Sequence, residues 1–83
     1  MSQAVVVTVY TSGPGCQPCR MTKRHLERRG IEYVEAELTD ENADAAISLG
    51  FTTSPVVMVT HTADGREESW DGHRPDRLDA LVP

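Results

Sequence analysis

Hydrophobic residues in this chain fall into short blocks whose spacing changes from one block to the next. Val5, Val6, Val7 and Val9 make a nearly continuous β-branched run from Val5 to Tyr10, the pattern of a strand buried on both faces and so placed centrally in a sheet. After it the period becomes helical: Cys19, Thr22, Leu26 and Arg29 line one stripe, with Met21 and His25 flanking it. Pro18 suits the first turn of that helix, where its missing N–H costs nothing, and Gly30 suits the C′ position that closes it. Ile31 to Leu38 reads as a more exposed strand, with Ile31, Tyr33 and Val34 set against Glu32, Glu35 and Glu37. Thr39 or Asp40 then caps a second helix. Asp40 and Glu41 put negative charge in its first turn, Ala43, Ala46, Ile47 and Leu49 supply an apolar face, and Gly50 ends it.

Pro55 introduces a second strong strand run, Val56 to Val59, and base rates favour the trans form of the Ser54–Pro55 bond. Ala63-Asp64-Gly65 marks a tight turn from which Glu67 to Trp70 returns as an antiparallel edge strand. Asp71-Gly72-His73-Arg74 leads into a last helix, with Pro75 in its first turn and Leu78, Leu81 and Val82 as its apolar anchor. The predicted order is β-α-β-α-β-β-α. A right-handed crossover makes the first two strands parallel neighbours.

Length and composition narrow the picture. The 83 residues, 1–83, have room for one domain with a modest core, and no repeat or linker divides them. An apolar fraction of 39% with 25% charged residues describes a folded chain rather than a disordered one. No apolar stretch approaches a membrane span, and the run Ala4 to Val9 is too short for a signal-peptide core; the expected location is the cytoplasm, and the expected state a monomer. The net charge of −5 conceals an asymmetry, since Arg20, Lys23, Arg24, Arg28 and Arg29, five of the eight basic residues, fall in one segment. With acidic residues dominating the rest, and only Phe51, Trp70, Tyr10 and Tyr33 as aromatics, nucleic-acid binding is not indicated. The basic segment reads either as a solvated helix face or as a docking surface for an acidic segment of a protein partner.

The candidate chemistry lies in Cys16-Gln17-Pro18-Cys19. A strand-like run enters the turn Thr11 to Gly15 and a helix leaves it, so Cys16 sits at a helix N-terminus, where unpaired N–H groups favour a thiolate. Cys16 is then the attacking thiol and Cys19, one turn deeper, the resolving one. Zinc fits poorly: a closed site needs four ligands, and His25, His61 and His73 show no paired spacing with the two cysteines. A structural staple fits poorly too, because so short a closed loop removes little denatured-state entropy.

The arrangement of elements and the position of the CxxC motif resemble the thioredoxin superfamily in its short glutaredoxin-like form. The resemblance sharpens to the NrdH-type redoxins through Leu49-Gly50-Phe51, Ser54-Pro55-Val56-Val57 and Trp70-Asp71-Gly72-His73-Arg74-Pro75-Asp76-Arg77-Leu78. It implies a thioredoxin-like α/β fold with a four-stranded mixed sheet and three helices. It implies that Pro55 is a cis-proline facing the cysteines, against the base rate, and that Ser54 positions a substrate mainly through its main chain. It implies that Trp70, Gly72, Arg74 and Asp76 belong to a hydrogen-bonded, structural or partner-facing string, with Gln17 and Pro18 bordering the docking surface. It further implies a dithiol carrier with no bound metal or organic cofactor, reduced by thioredoxin reductase with NADPH, that passes electrons to class Ib ribonucleotide reductase or another disulfide-bearing protein.

Two departures from the family pattern stand out. The turn Ser12-Gly13-Pro14-Gly15 is one residue longer than usual and lacks the lysine common before the motif, which leaves the helix N-terminus and Arg20 to stabilise the thiolate. Gln17-Pro18 replaces the commoner residues between the cysteines, and the proline implies a potential on the reducing side, near thioredoxin's value of about −270 mV. The competing functions are a glutathione-dependent glutaredoxin, and a non-catalytic redox-sensing module that docks through the basic helix.

Overall fold

A computed structural model describes residues 4–81 and gives the seven elements in the predicted order. They are strand β1 (Val5–Thr11), helix α1 (Gln17–Arg28), strand β2 (Val34–Glu37), helix α2 (Asp40–Ser48), strands β3 (Val56–His61) and β4 (Glu67–Asp71), and helix α3 (Pro75–Asp79). The sheet runs β2-β1-β3-β4. β1 is parallel to β2, with Tyr10 opposite Ala36, and antiparallel to β3, with Val7 opposite Val59. β4 pairs antiparallel to β3 and sets Trp70 opposite Val57. This is the thioredoxin-like α/β fold that the resemblance implied.

The core forms where alternate strand positions meet α1 and α3. Val5, Val7, Val9, Val57, Val59 and Trp70 from the sheet join Leu26 and Leu78 from the helices, and Tyr33 and Leu81 pack against them. Val82, expected in the last helix's anchor, lies outside the described residues. β1 is central, as its β-branched run predicts, but is fully buried on one face only. Val6 is 52% exposed and Thr8 and Tyr10 are half-buried, because α2 shields only one end of the second face, where Tyr10, Ala46, Val56 and Met58 line a small cavity.

Two helix ends explain where the remaining expectations fail. At the end of α1, Gly30 takes φ 70°, its N–H donates to the Glu27 carbonyl at 3.1 Å, and the Ile31 N–H donates to the Leu26 carbonyl at 2.9 Å. That pair of bonds is a Schellman motif, so Ile31 packs on Leu26 as part of the cap and the strand begins only at Val34. α2, capped by Thr39, ends the same way: Gly50 donates to Ile47 at 2.9 Å and Phe51 to Ala46 at 3.0 Å. Phe51 then turns back at the Ala46 end, while Ile47 and Leu49, expected on the apolar face, are 65% and 62% exposed. Ala46 lies at the centre of the helix's inward face, and Ile47, about 100° further round, lies at its edge, where it still lines a shallow depression with Ala43 and Phe51.

Candidate active site

The chain from β1 reaches α1 through the turn Ser12 to Gly15, in which Gly13 takes φ 121° and its carbonyl accepts from the Cys16 N–H at 3.1 Å. A positive φ is open to glycine without a Cβ penalty, which lets this turn close. Cys16 is the N-cap of α1. Its sulfur accepts from the Cys19 N–H at 3.2 Å, satisfying one of the orphan donors of the first turn. The two cysteines form a disulfide with Cα atoms 5.3 Å apart. Cys16 is partly exposed, whereas Cys19 points into the core and is 1% exposed. Gln17 and Pro18 lie exposed between them.

The opposite wall is the loop before β3. The Ser54–Pro55 bond is cis, as the resemblance implied and the base rate did not. The Ser54 hydroxyl lies 3.3 Å from the Cys16 sulfur and 2.9 Å from the Ser12 hydroxyl. The loop is held by the residues that end β4. One Asp71 carboxylate oxygen accepts from the Thr52 N–H at 2.9 Å, the Thr53 N–H at 3.1 Å and the Thr53 hydroxyl at 3.0 Å. The Gly72 N–H donates to the Pro55 carbonyl at 2.9 Å. Gly72 has φ 77°, a left-handed conformation that favours glycine, and a Cβ there would only touch the Thr53 hydroxyl, at 3.4 Å. The Thr52 N–H, chiefly, holds the Asp71 carboxyl below its usual pKa.

The structure thus brings Cys16, Cys19, Ser54 and Pro55 together and ties Gly72 to them through the Pro55 carbonyl. Arg74 joins one step back, donating from Nε to the Asp71 carbonyl at 3.0 Å, with its guanidinium 3.5 Å from the Asp71 carboxylate. Trp70 is placed differently from a hydrogen-bonding role. It is 2% exposed in the core beneath the Arg77 guanidinium, 4.7 Å from the ring centroid, and no acceptor among the described residues meets its indole N–H. Asp76 is exposed in the first turn of α3, outside these contacts. Sequence reasoning missed Ser12, Thr52, Thr53 and Asp71 as parts of the site. Asp71-Gly72 was a visible signal, but its partners lie 18 and 19 residues earlier, and nothing local links them.

The basic helix divides in two. Lys23 pairs with Glu35 at 3.0 Å and Arg29 with Asp79 at 2.7 Å, so these two tie α1 to its neighbours. Arg20, Arg24 and Arg28 are exposed. His25, which flanks the apolar stripe of α1, bridges α1 to α3 by a 2.7 Å contact with Asp79. It meets the ring of His73 edge-on at 5.9 Å, and His73 Nδ1 in turn lies 3.0 Å from the buried Thr22 hydroxyl. Burial first, then His25 and Arg28, push the His73 pKa below its usual 6.5. A histidine with a lowered folded pKa binds its proton less readily folded than unfolded. The stability it contributes is whole above pH 6.5 and is lost as pH falls through the lowered folded value. Urea titrations at pH 7 and pH 5 should therefore show His73→Gln, which keeps a partner for Thr22 without the charge, losing less stability on acidification than the unsubstituted protein; equal losses would refute the assignment.

An accessible sulfur at a helix N-terminus, a buried sulfur behind it and a proline loop opposite, all on a thioredoxin-like sheet, define a thiol–disulfide oxidoreductase. Comparison with known proteins agrees. The glutaredoxin family model matches residues 7–62. The glutaredoxin-like protein NrdH of Salmonella typhimurium is 38% identical over 79 residues, covering 93% of this chain and 89% of that protein. The structure of the NrdH-redoxin from Escherichia coli, described as having a thioredoxin-like activity profile, aligns with a TM-score of 0.78 at 34% identity, covering 94% of this chain and 96% of its own. Mitochondrial thioredoxin 3 of Saccharomyces cerevisiae, at 22% identity and a TM-score of 0.61 over 95% of this chain and 76% of its own, shares the fold. The chain belongs to the glutaredoxin family, as an NrdH-type redoxin.

Proposed function

We propose that this redoxin is a cytoplasmic, monomeric dithiol carrier that thioredoxin reductase reduces at the expense of NADPH and that donates electrons to class Ib ribonucleotide reductase. The observation that carries the reading is the unequal exposure of the two sulfurs, with Cys16 accessible at the helix N-cap and Cys19 buried behind it. In the reduced protein the Cys16 thiolate attacks one sulfur of a target disulfide, and the target's second sulfur leaves as a thiolate with the electron pair. The Cys19 thiolate then attacks the Cys16 sulfur, closes the intramolecular disulfide and releases the first target sulfur. Two electrons pass to the target, and no bound metal or organic cofactor takes part. Ser54, Gln17 and Pro18 border the path of the incoming chain, and the Ser54 main chain is suited to pair with an extended segment.

The thioredoxin-like activity profile of the Escherichia coli relative supports thioredoxin reductase as the source of electrons. So does the loop into α3, which offers the exposed cation Arg74, held on the Asp71 carbonyl, rather than the acidic segment needed to hold the ammonium end of glutathione. The test compares reduction of the oxidised protein by NADPH with thioredoxin reductase against glutathione with glutathione reductase, at matched concentrations. Rapid turnover with the first system alone is expected, followed by support of class Ib ribonucleotide reductase. Rapid turnover with glutathione alone would make the protein a glutathione-dependent glutaredoxin. Failure of both, with a stoichiometric change in partner binding, would make it a sensor.

A further inference from the structure

We propose that Ser12 and Ser54 form a directed hydroxyl relay that stabilises the Cys16 thiolate, with Ser54 a catalytic residue and Ser12 a positioning residue behind it. The direction follows from counting protons. The Cys16 sulfur, bonded to Cys19, carries no hydrogen and can only accept, so the 3.3 Å contact is donated by the Ser54 hydroxyl. A serine hydroxyl has one proton. Ser54 has therefore spent its own, and the 2.9 Å contact with Ser12 must be donated by Ser12. The relay runs from Ser12 through Ser54 to sulfur, and a hydroxyl that accepts one hydrogen bond becomes a better donor in the next.

Two donors from separate parts of the chain, the Ser54 hydroxyl and the Cys19 N–H at 3.2 Å, converge on one sulfur. Both are in place before the disulfide opens. When reduction leaves Cys16 as a thiolate, negative charge develops where these donors already point, so little reorganisation is needed. Charge also returns to this sulfur whenever a mixed disulfide is cleaved with Cys16 as the leaving group, and the same contacts aid its departure. Ser54 touches the reacting atom and is half-buried, whereas Ser12 is exposed, where water competes for its hydroxyl. The Ser12 share is the smaller one.

The proposal rests on Cys16 being the attacking thiol, and the test separates the two ideas. In full-length protein carrying Cys19→Ser, Cys16 is the only thiol, and its attack on a small disulfide such as hydroxyethyl disulfide stops at the mixed disulfide. A small reagent forms no strand with Ser54, so the measured rate excludes any main-chain role in holding a protein target. Adding Ser54→Ala should cut the thiolate by roughly tenfold at any pH low enough to leave the thiol mostly protonated in both proteins, the scale of one hydrogen bond to a charged group. The residual thiolate is more basic and about threefold more nucleophilic, so the observed rate should fall about threefold at that low pH yet exceed the parent's by about threefold at pH high enough to ionise both. A loop merely deformed by the substitution would slow the reaction at every pH and would not make the curves cross. Ser54→Thr keeps a hydroxyl and should restore the parent profile. Ser12→Ala should move the profile in the same direction by less, and should have no further effect once Ser54 is Ala. Coincident profiles for Ser54→Ala and its parent, or an undiminished Ser12→Ala effect without Ser54, would overturn the relay. No reaction at all in the Cys19→Ser parent would instead overturn the nucleophile assignment.

Discussion

Replacing Cys16 by Ser is expected to abolish protein-disulfide reduction, whereas replacing Cys19 by Ser should leave the first step intact and arrest the protein as a mixed disulfide with its target. The asymmetry follows from geometry. Only Cys16 is open to a bulky disulfide; Cys19, at 1% exposure, can reach a sulfur only after that sulfur has been carried to Cys16. A serine hydroxyl at position 16 is no substitute, because the reactive species is the thiolate and an alcohol is scarcely ionised at neutral pH. Mass spectrometry of each variant after incubation with an oxidised target reads the result directly. An adduct of target mass on Cys19→Ser and none on Cys16→Ser is expected. Turnover surviving in Cys16→Ser, or a stable adduct on Cys19 in that variant, would reverse the order of attack.

Trp70→Ala should be the most damaging change outside the thiols. Trp70 is 2% exposed, sits opposite Val57 on β4 and packs in the cluster that joins the sheet to Leu26 of α1 and Leu78 of α3. Truncating so large a buried aromatic typically costs about 3–5 kcal/mol in lost transfer energy and residual cavity. A domain of this size has on the order of 4–12 kcal/mol in total, so the loss is a large part of it. The Arg77 guanidinium stacked on the ring at 4.7 Å loses its partner as well. Trp70→Phe should be much milder. The indole N–H meets no acceptor among the described residues, so phenylalanine forfeits volume but no hydrogen bond, and removes an unsatisfied buried donor. Urea denaturation should show a large drop in midpoint for the alanine variant and a small change for phenylalanine. Comparable losses in the two would indicate that the indole N–H has an acceptor after all.

The same residue marks where a reading of the sequence stops. The string from Trp70 to Asp76 was legible as a unit, and its place before the last helix was correct. Its internal division of labour was not. Trp70 went to the core, Asp76 to the surface, and the central acceptor proved to be Asp71, which binds Thr52 and Thr53 across the sheet edge. The second strand shortened for a related reason: whether Ile31 pairs in a strand or closes a helix depends on Leu26, five residues earlier, having a carbonyl to offer and a side chain to pack on.

Sequence alone determined the order of elements, the central place of the valine run, the ends of the helices at Gly30 and Gly50, and the assignment of Cys16 and Cys19 to the N-terminus of one helix. Each of these is written in periods of a few residues or in a single backbone preference, and so needs no knowledge of what lies across the sheet. Tertiary structure decided what surrounds the sulfur. The hydroxyls of Ser12 and Ser54 come from positions 42 residues apart, and the Asp71 carboxylate reaches back 18 and 19 residues to the loop that carries Ser54. Such contacts exist only once β1, β3 and β4 have paired in register, because that pairing sets their ends, and the turns leaving them, against the first turn of α1.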